Sequence, residues 1–142
     1  DEVFACHGTP NSDTTYWMEK VSQEGEVFLR PRDEVANEAI GLKASLFSCG
    51  HTHIPRRIDL PNGSAILNPG SVGCPGYIDD IPVHHVVQTG TSAACYAVVE
   101  KKSNGWITGF RHIPYDPSRM IEFAKSANHP NWAARLATGW VN

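Results

Sequence analysis

Cys49-Gly50-His51-Thr52-His53 follows the short apolar run Leu46-Phe47, and far upstream Cys6-His7-Gly8 follows Val3-Phe4-Ala5. Each histidine cluster is therefore expected where a strand gives way to a loop, the position at which a rigid scaffold presents its binding residues. Two imidazoles one residue apart, joined by a third from a neighbouring strand end, can face a common point and take a divalent transition metal. Gly50 before the pair is expected to let the backbone turn sharply, so that both rings leave the sheet edge. A bare His-x-His pair has a competing reading, ordinary hydrogen-bonded histidines. His7-Gly8, at a second strand end, tips the balance to metal ligation.

The remaining composition narrows the class. A chain of 142 residues with 41% hydrophobic and 19% charged residues reads as one folded globular domain. A formal net charge of -3 gives no electrostatic reason to expect a nucleic-acid or membrane partner, and nucleic acid enters only as a conceivable substrate. No apolar run is long enough to span a bilayer, and Asp1-Glu2 lacks the basic-then-apolar pattern of a signal peptide. Four cysteines scattered through the chain do not form a disulfide framework, so a reducing cytoplasm is the expected location. Opening directly on a strand-like run leads to the expectation of a piece of a longer protein.

Along the chain, Thr9 to Asp13 reads as a loop, and Thr14 to Glu26 as a polar stretch carrying Tyr16-Trp17, either a lid over the site or core. Asp33 is expected to cap a helix to about Leu42. Ala44 to Cys49 reads as the strand delivering the histidine pair. Residues 57–68 read as a hairpin around Pro61-Asn62-Gly63, with Asn-Gly as a two-residue turn. Gly70 to Pro82 reads as an irregular loop. Ala94 to Lys101 and Trp106 to Ile113 form a second hairpin, with Trp106, Thr108 and Phe110 on one face. Asp116-Pro117 opens a helix whose apolar face carries Met120, Phe123, Ala124 and Ala127. Asn131 is expected to cap a last helix that Gly139 ends. The pattern is α/β, a layered mixed sheet with helices outside.

Gly50-His51-Thr52-His53, followed by the hairpin and then Asn68-Pro69-Gly70-Ser71-Val72-Gly73, resembles the C-terminal half of a calcineurin-like metallophosphoesterase. His7-Gly8 matches the family's preceding histidine motif. The likeness runs from residue 7 to 73 and through the strand pair and helices after it, and is nearest to the compact bacterial and archaeal phosphodiesterase-like branch. It implies a layered αββα fold of which residues 1–142 supply a single partial domain. It implies two divalent ions (Mn, Fe, Zn, Ni or Co), His7 and His51 on one and His53 on the other, and a phosphodiester or phosphomonoester substrate. Paired cations lower the pKa of water and stabilise attacking and leaving oxygens together, and neutral imidazoles suit these metals better than magnesium.

The departures are specific. The family's Asp-x-His, Gly-Asp and Gly-Asn-His motifs do not occur in these 142 residues. The bridging carboxylate, the Asn ligand and the catalytic histidine would then belong to a partner N-terminal half, and the chain alone should not turn over substrate. Two other readings follow: an inactive interaction scaffold on the same fold, and a structural zinc domain using Cys6, His7, Cys49 and His51. His84-His85 reads as a solvated loop, with no more than one ring able to line an opening. Arg30, Arg32, Arg56 and Arg57 read as surface charge before a phosphate clamp. Asn68 to Gly73 is expected to supply backbone geometry near the metals.

Overall fold

The computed structural model describes residues 2–141, so Asp1 and Asn142 lie outside the described residues. In chain order the elements are β1 (Val3–Ala5), β2 (Glu19–Val21), β3 (Val27–Leu29), α1 (Arg32–Asn37), β4 (Leu46–Ser48), β5 (Arg56–Asp59) and β6 (Ala65–Asn68). They continue with β7 (Gly76–Asp79), β8 (His85–Gln88), β9 (Ala94–Lys102), β10 (Gly105–Ile113), α2 (Ser118–Ser126) and α3 (Pro130–Thr138). The fold is mixed α/β.

A four-stranded sheet in the order β1-β4-β6-β5 sits at the centre, with β1, β4 and β6 parallel and β5 antiparallel to β6. Strand β6 is buried at all four positions, as a strand covered on both faces must be. Successive side chains on a strand point to opposite faces, and the core divides accordingly. On one face Phe47 and Ile66 pack with Trp17, Met18 and Val35 of α1, and Phe4 joins them. On the other, Leu46, Ala65 and Leu67 meet Ala97, Trp106 and Phe110 of the β9–β10 hairpin. The alternation expected for β10 is thus observed: Trp106, Thr108 and Phe110 turn inward, and Ile107 outward.

The β5–β6 hairpin forms, with a different turn. Gly63 alone takes positive φ (84°), Gly63 N–H donates to Leu60 O at 3.1 Å, and Leu60 N–H to Ser64 O at 2.8 Å. Pro61, with φ fixed by its ring, suits the first corner of a type I turn, which leaves the left-handed position to Gly63. Helix α1 starts at Arg32 and ends at Asn37, with Asp33 inside its first turn instead of capping it. Residues 70–82 are not all loop, because Gly76–Asp79 pairs antiparallel with His85–Gln88 as β7–β8. Pro130 occupies the first turn of α3, displacing the expected Asn131 cap, and Gly139 ends that helix at φ 75°. Of the apolar face expected on α2 only Ala124 is buried; Met120 and Phe123 are exposed. No helix among the described residues is long and apolar enough to cross a membrane.

Candidate metal centre

Parallel pairing of β1 with β4 puts Ala5 opposite Ser48, so the segments that leave the two strands run side by side. His7 O accepts from both Gly50 N and His51 N at 2.9 Å, locking one loop to the other. His7 Nε2 consequently lies 3.0 Å from His51 Nδ1, with ring centroids 4.7 Å apart. Gly8 is needed for this approach. A Cβ there would stand 2.5 Å from Ser12 O and 2.6 Å from Thr15 O.

The sharp turn expected at Gly50 falls on His53, a non-glycine residue at φ 58°. That region is disfavoured for side-chain-bearing residues, though His is tolerated there more than most. Such strain is a frequent mark of a functional position. His53 Nδ1 lies 2.9 Å from Cys74 O. A neutral ring donating Nδ1–H to that carbonyl keeps its Nε2 lone pair free, the arrangement a metal ligand requires. Burial is the main cause that holds both His51 and His53 below the ordinary imidazole pKa. For His51 the His7 ring adds to this, while Asp79 and the Thr14 backbone oppose it. For His53 the Cys74 carbonyl opposes and His7 adds. Neutral imidazole is the ligating form.

Two polar assemblies support these rings, and neither was legible in the sequence. In the first, Asn68 Nδ2 donates to Thr52 Oγ1 at 3.0 Å, and Thr52 Oγ1 donates to Glu19 Oε2 at 2.9 Å. Arg56 Nε donates to Glu19 Oε1 at 2.9 Å, and Asn68 Oδ1 accepts from Gly70 N at 2.9 Å. Glu19, Thr52 and Asn68 are all buried. This chain of bonds ties β2, the histidine loop and the end of β6 together through the residue between His51 and His53. Burial raises the Glu19 carboxyl above its usual range against the opposing effects of Thr52 and Arg56.

In the second assembly, Tyr16 Oη lies 2.7 Å from Nε2 of buried His85, and Tyr77 Oη lies 2.9 Å from Tyr16 Oη and 3.1 Å from His51 O. Tyr16 meets the His51 ring edge-on at 4.9 Å, and Tyr77 meets His53 at 5.3 Å. Each phenol thus braces one imidazole. Tyr16 and Trp17 are core, not lid, and His85 is core, not solvated loop; His84 remains outside, 2.7 Å from Asp80. The four arginines are engaged elsewhere: Arg30 with Glu34 and Glu38, Arg32 with Asp59 O, Arg56 with Glu19, and Arg57 with Asp59 and the β10 backbone.

Ligand nitrogens lie about 2.0–2.1 Å from zinc, so two of them on one ion stand roughly 3 Å apart, as His7 Nε2 and His51 Nδ1 do. The nitrogens of His7 and His51 fit. Among the described residues no three His, Cys, Asp or Glu side chains are grouped to hold an ion, so neither His53 nor an acidic side chain joins that pair as a third donor. Nor do Cys6 and Cys49 complete a zinc site. Cys6 Sγ lies toward Gly8 O and Ser48 O, at 3.4 and 3.8 Å, and among the described residues neither thiol is grouped with two further His, Cys, Asp or Glu side chains.

No protein-family model matches the chain, and no curated protein matches it. In structure the whole chain is similar to hypothetical protein PH1004 from Pyrococcus horikoshii OT3, at a TM-score of 0.67 and 16% identity. The chain spans 50% of that protein's length, and the likeness is one of fold. Vacuolar Protein Sorting 29 from Cryptosporidium parvum aligns with 75% of this chain and 62% of its own, at 17% identity and a TM-score of 0.29.

Proposed function

We propose that His7, His51 and His53 form the nitrogen-donating side of a dinuclear metal phosphoesterase centre. In this reading the chain supplies the C-terminal part of a layered αββα domain of the calcineurin-like metallophosphoesterase type. The observation that carries the reading is the 3.0 Å approach of two imidazole nitrogens from separate strand ends. When bound, the ions would lower the pKa of water and offset charge on the phosphoryl oxygens. The chain's own residues do the positioning. His7 and His51 would hold one ion, and His53, oriented by the Cys74 carbonyl, the other. Glu19, Thr52 and Asn68 fix the loop between them. Among the described residues no carboxylate completes a group of three donors with these histidines, and the active unit we propose is the chain together with a segment that carries them.

The test is metal content and manganese-dependent hydrolysis of bis-p-nitrophenyl phosphate by the intact parent protein and its His51→Ala variant. The reading expects turnover in the parent and its loss in the variant; equal turnover in both refutes it. The rival reading is an inactive interaction scaffold on the same fold. That rival expects no turnover in the parent at any metal concentration.

A further inference from the structure

Helices α2 and α3 meet through Ala124, Ala133 and Leu136, with Ile121 beside them. The two alanines let the helices approach closely, which leaves the longer side chains at the sides of the seam. Asn128 turns the chain between them at φ 61°, a left-handed conformation that Asn tolerates better than most residues. Two cavities open along the seam. One, of about 360 Å³, is within the size range of small-molecule sites and is lined by Asn128, His129, Asn131, Trp132 and Arg135. The other, of about 120 Å³, is apolar, with Met120, Phe123, Ala124 and Leu136 in its wall. His129 and Trp132 line both, so the two are halves of one groove.

The larger half is lined by hydrogen-bond donors and by no carboxylate. Arg135 has no ion-pair partner among the described residues, whereas Arg30, Arg56 and Arg57 each face a carboxylate. A guanidinium is a planar fork that matches two oxygens of a carboxylate or phosphate. The helix pair carries Arg119, Lys125 and Arg135 against one carboxylate, Glu122, in a chain of formal net charge -3. The smaller half leaves apolar surface in water, with Met120 51% and Phe123 64% exposed. Covering such surface strengthens binding roughly fourfold for each methylene buried. We propose that this groove binds a small amphipathic anion, its phosphate or carboxylate head on Arg135 and its short apolar tail over Met120 and Phe123. The site lies wholly on the α2–α3 hairpin and stands or falls whatever the histidines bind.

The experiment titrates the intact parent protein with hexyl phosphate, methyl phosphate and hexanol, and follows the indole Nε1–H resonance of Trp132 by NMR. EDTA is present throughout, which keeps the candidate metal centre out of the measurement. Hexyl phosphate should shift Trp132 and bind at least about tenfold tighter than either methyl phosphate or hexanol. Arg135→Gln should weaken hexyl phosphate about tenfold and leave hexanol unchanged. Phe123→Ser, a change at an exposed position, should shrink the preference for hexyl over methyl phosphate and leave methyl phosphate unchanged. Hexanol binding as tightly as hexyl phosphate would show that the head is not recognised, and methyl phosphate doing so would show that the tail is not; either overturns the proposal. A Trp132 resonance that no probe moves overturns it too. Phosphatidic acid vesicles separate a membrane surface from a free ligand: vesicles that sediment the protein while hexyl phosphate leaves Trp132 in place would assign the face to a bilayer and overturn the proposal.

Discussion

Thr52→Val removes one oxygen and keeps the side-chain shape, so it isolates the buried polar chain beneath the histidine loop. Thr52 Oγ1 accepts from Asn68 Nδ2 and donates to Glu19 Oε2. The valine variant leaves a buried amide donor and one carboxylate oxygen without partners. Each stranded group costs about 1–3 kcal/mol, more where charge is involved, so the sum is about 3 kcal/mol. For a chain of 142 residues the unfolding entropy is roughly 0.3 kcal/mol/K, which converts that loss to a fall in Tm of about 10 °C. Thr52→Ser keeps the hydroxyl and loses a buried methyl, for about 1 kcal/mol and about 3 °C. Thermal unfolding followed by circular dichroism reads both. If valine and serine fall equally, or valine falls by less than about 3 °C, the hydroxyl is not holding the network and the argument for a braced loop is wrong.

Three further expectations follow from the same geometry. Gly8→Ala drives a Cβ against the Ser12 and Thr15 carbonyls; a loss of about 1–3 kcal/mol in urea titration is expected, and an unchanged midpoint would contradict the close approach. Glu19 titrates above its ordinary 4.5 in the folded chain because of burial. The folded state therefore binds a proton more readily than the unfolded one, and this group's contribution to stability falls as pH rises from about 4.5 through its folded value. Glu19→Gln should flatten that slope in urea midpoints measured between pH 4 and 7 (roughly the carboxylate window); an unaltered slope counts against it. Tyr16→Phe strands Nε2 of buried His85, so about 1–3 kcal/mol should be lost and the His85 ring resonances should move, whereas a silent His85 ring would rule out the contact.

Legibility in the sequence followed locality. The alternation of β10 and the apolar run of β6 could be read because period and burial are written into consecutive residues. His7, His51 and His53 were found because each stands at the end of a short apolar run, and the structure brings the first two rings into contact. His53 lies two residues beyond His51 in the loop between β4 and β5. The β7–β8 pair was missed since Gly and Pro punctuate Gly70 to Pro82, and its pairing is set by partners across the hairpin instead of by local periodicity. Glu19, Thr52 and Asn68 lie 33 and 16 residues apart in the two bonds that join them, and no spacing rule reaches that far. The orienting acceptor of His53 is a backbone carbonyl at Cys74, which every residue possesses and no side chain advertises. A partial signal did exist for Asn68: a polar residue closing a continuously apolar strand needs a buried partner.

The central claim is that His7, His51 and His53 act on metal together. Long-range ¹H–¹⁵N NMR of the seven imidazoles, recorded while Zn²⁺ is added to the full chain, addresses it directly. The account predicts that nitrogens of His7, His51 and His53 shift during the titration, with His7 Nε2 and His51 Nδ1 moving in step, while exposed His84, His112 and His129 stay in place. Unchanged resonances at 7 and 51, or the first response arising at one of the exposed histidines, would contradict it.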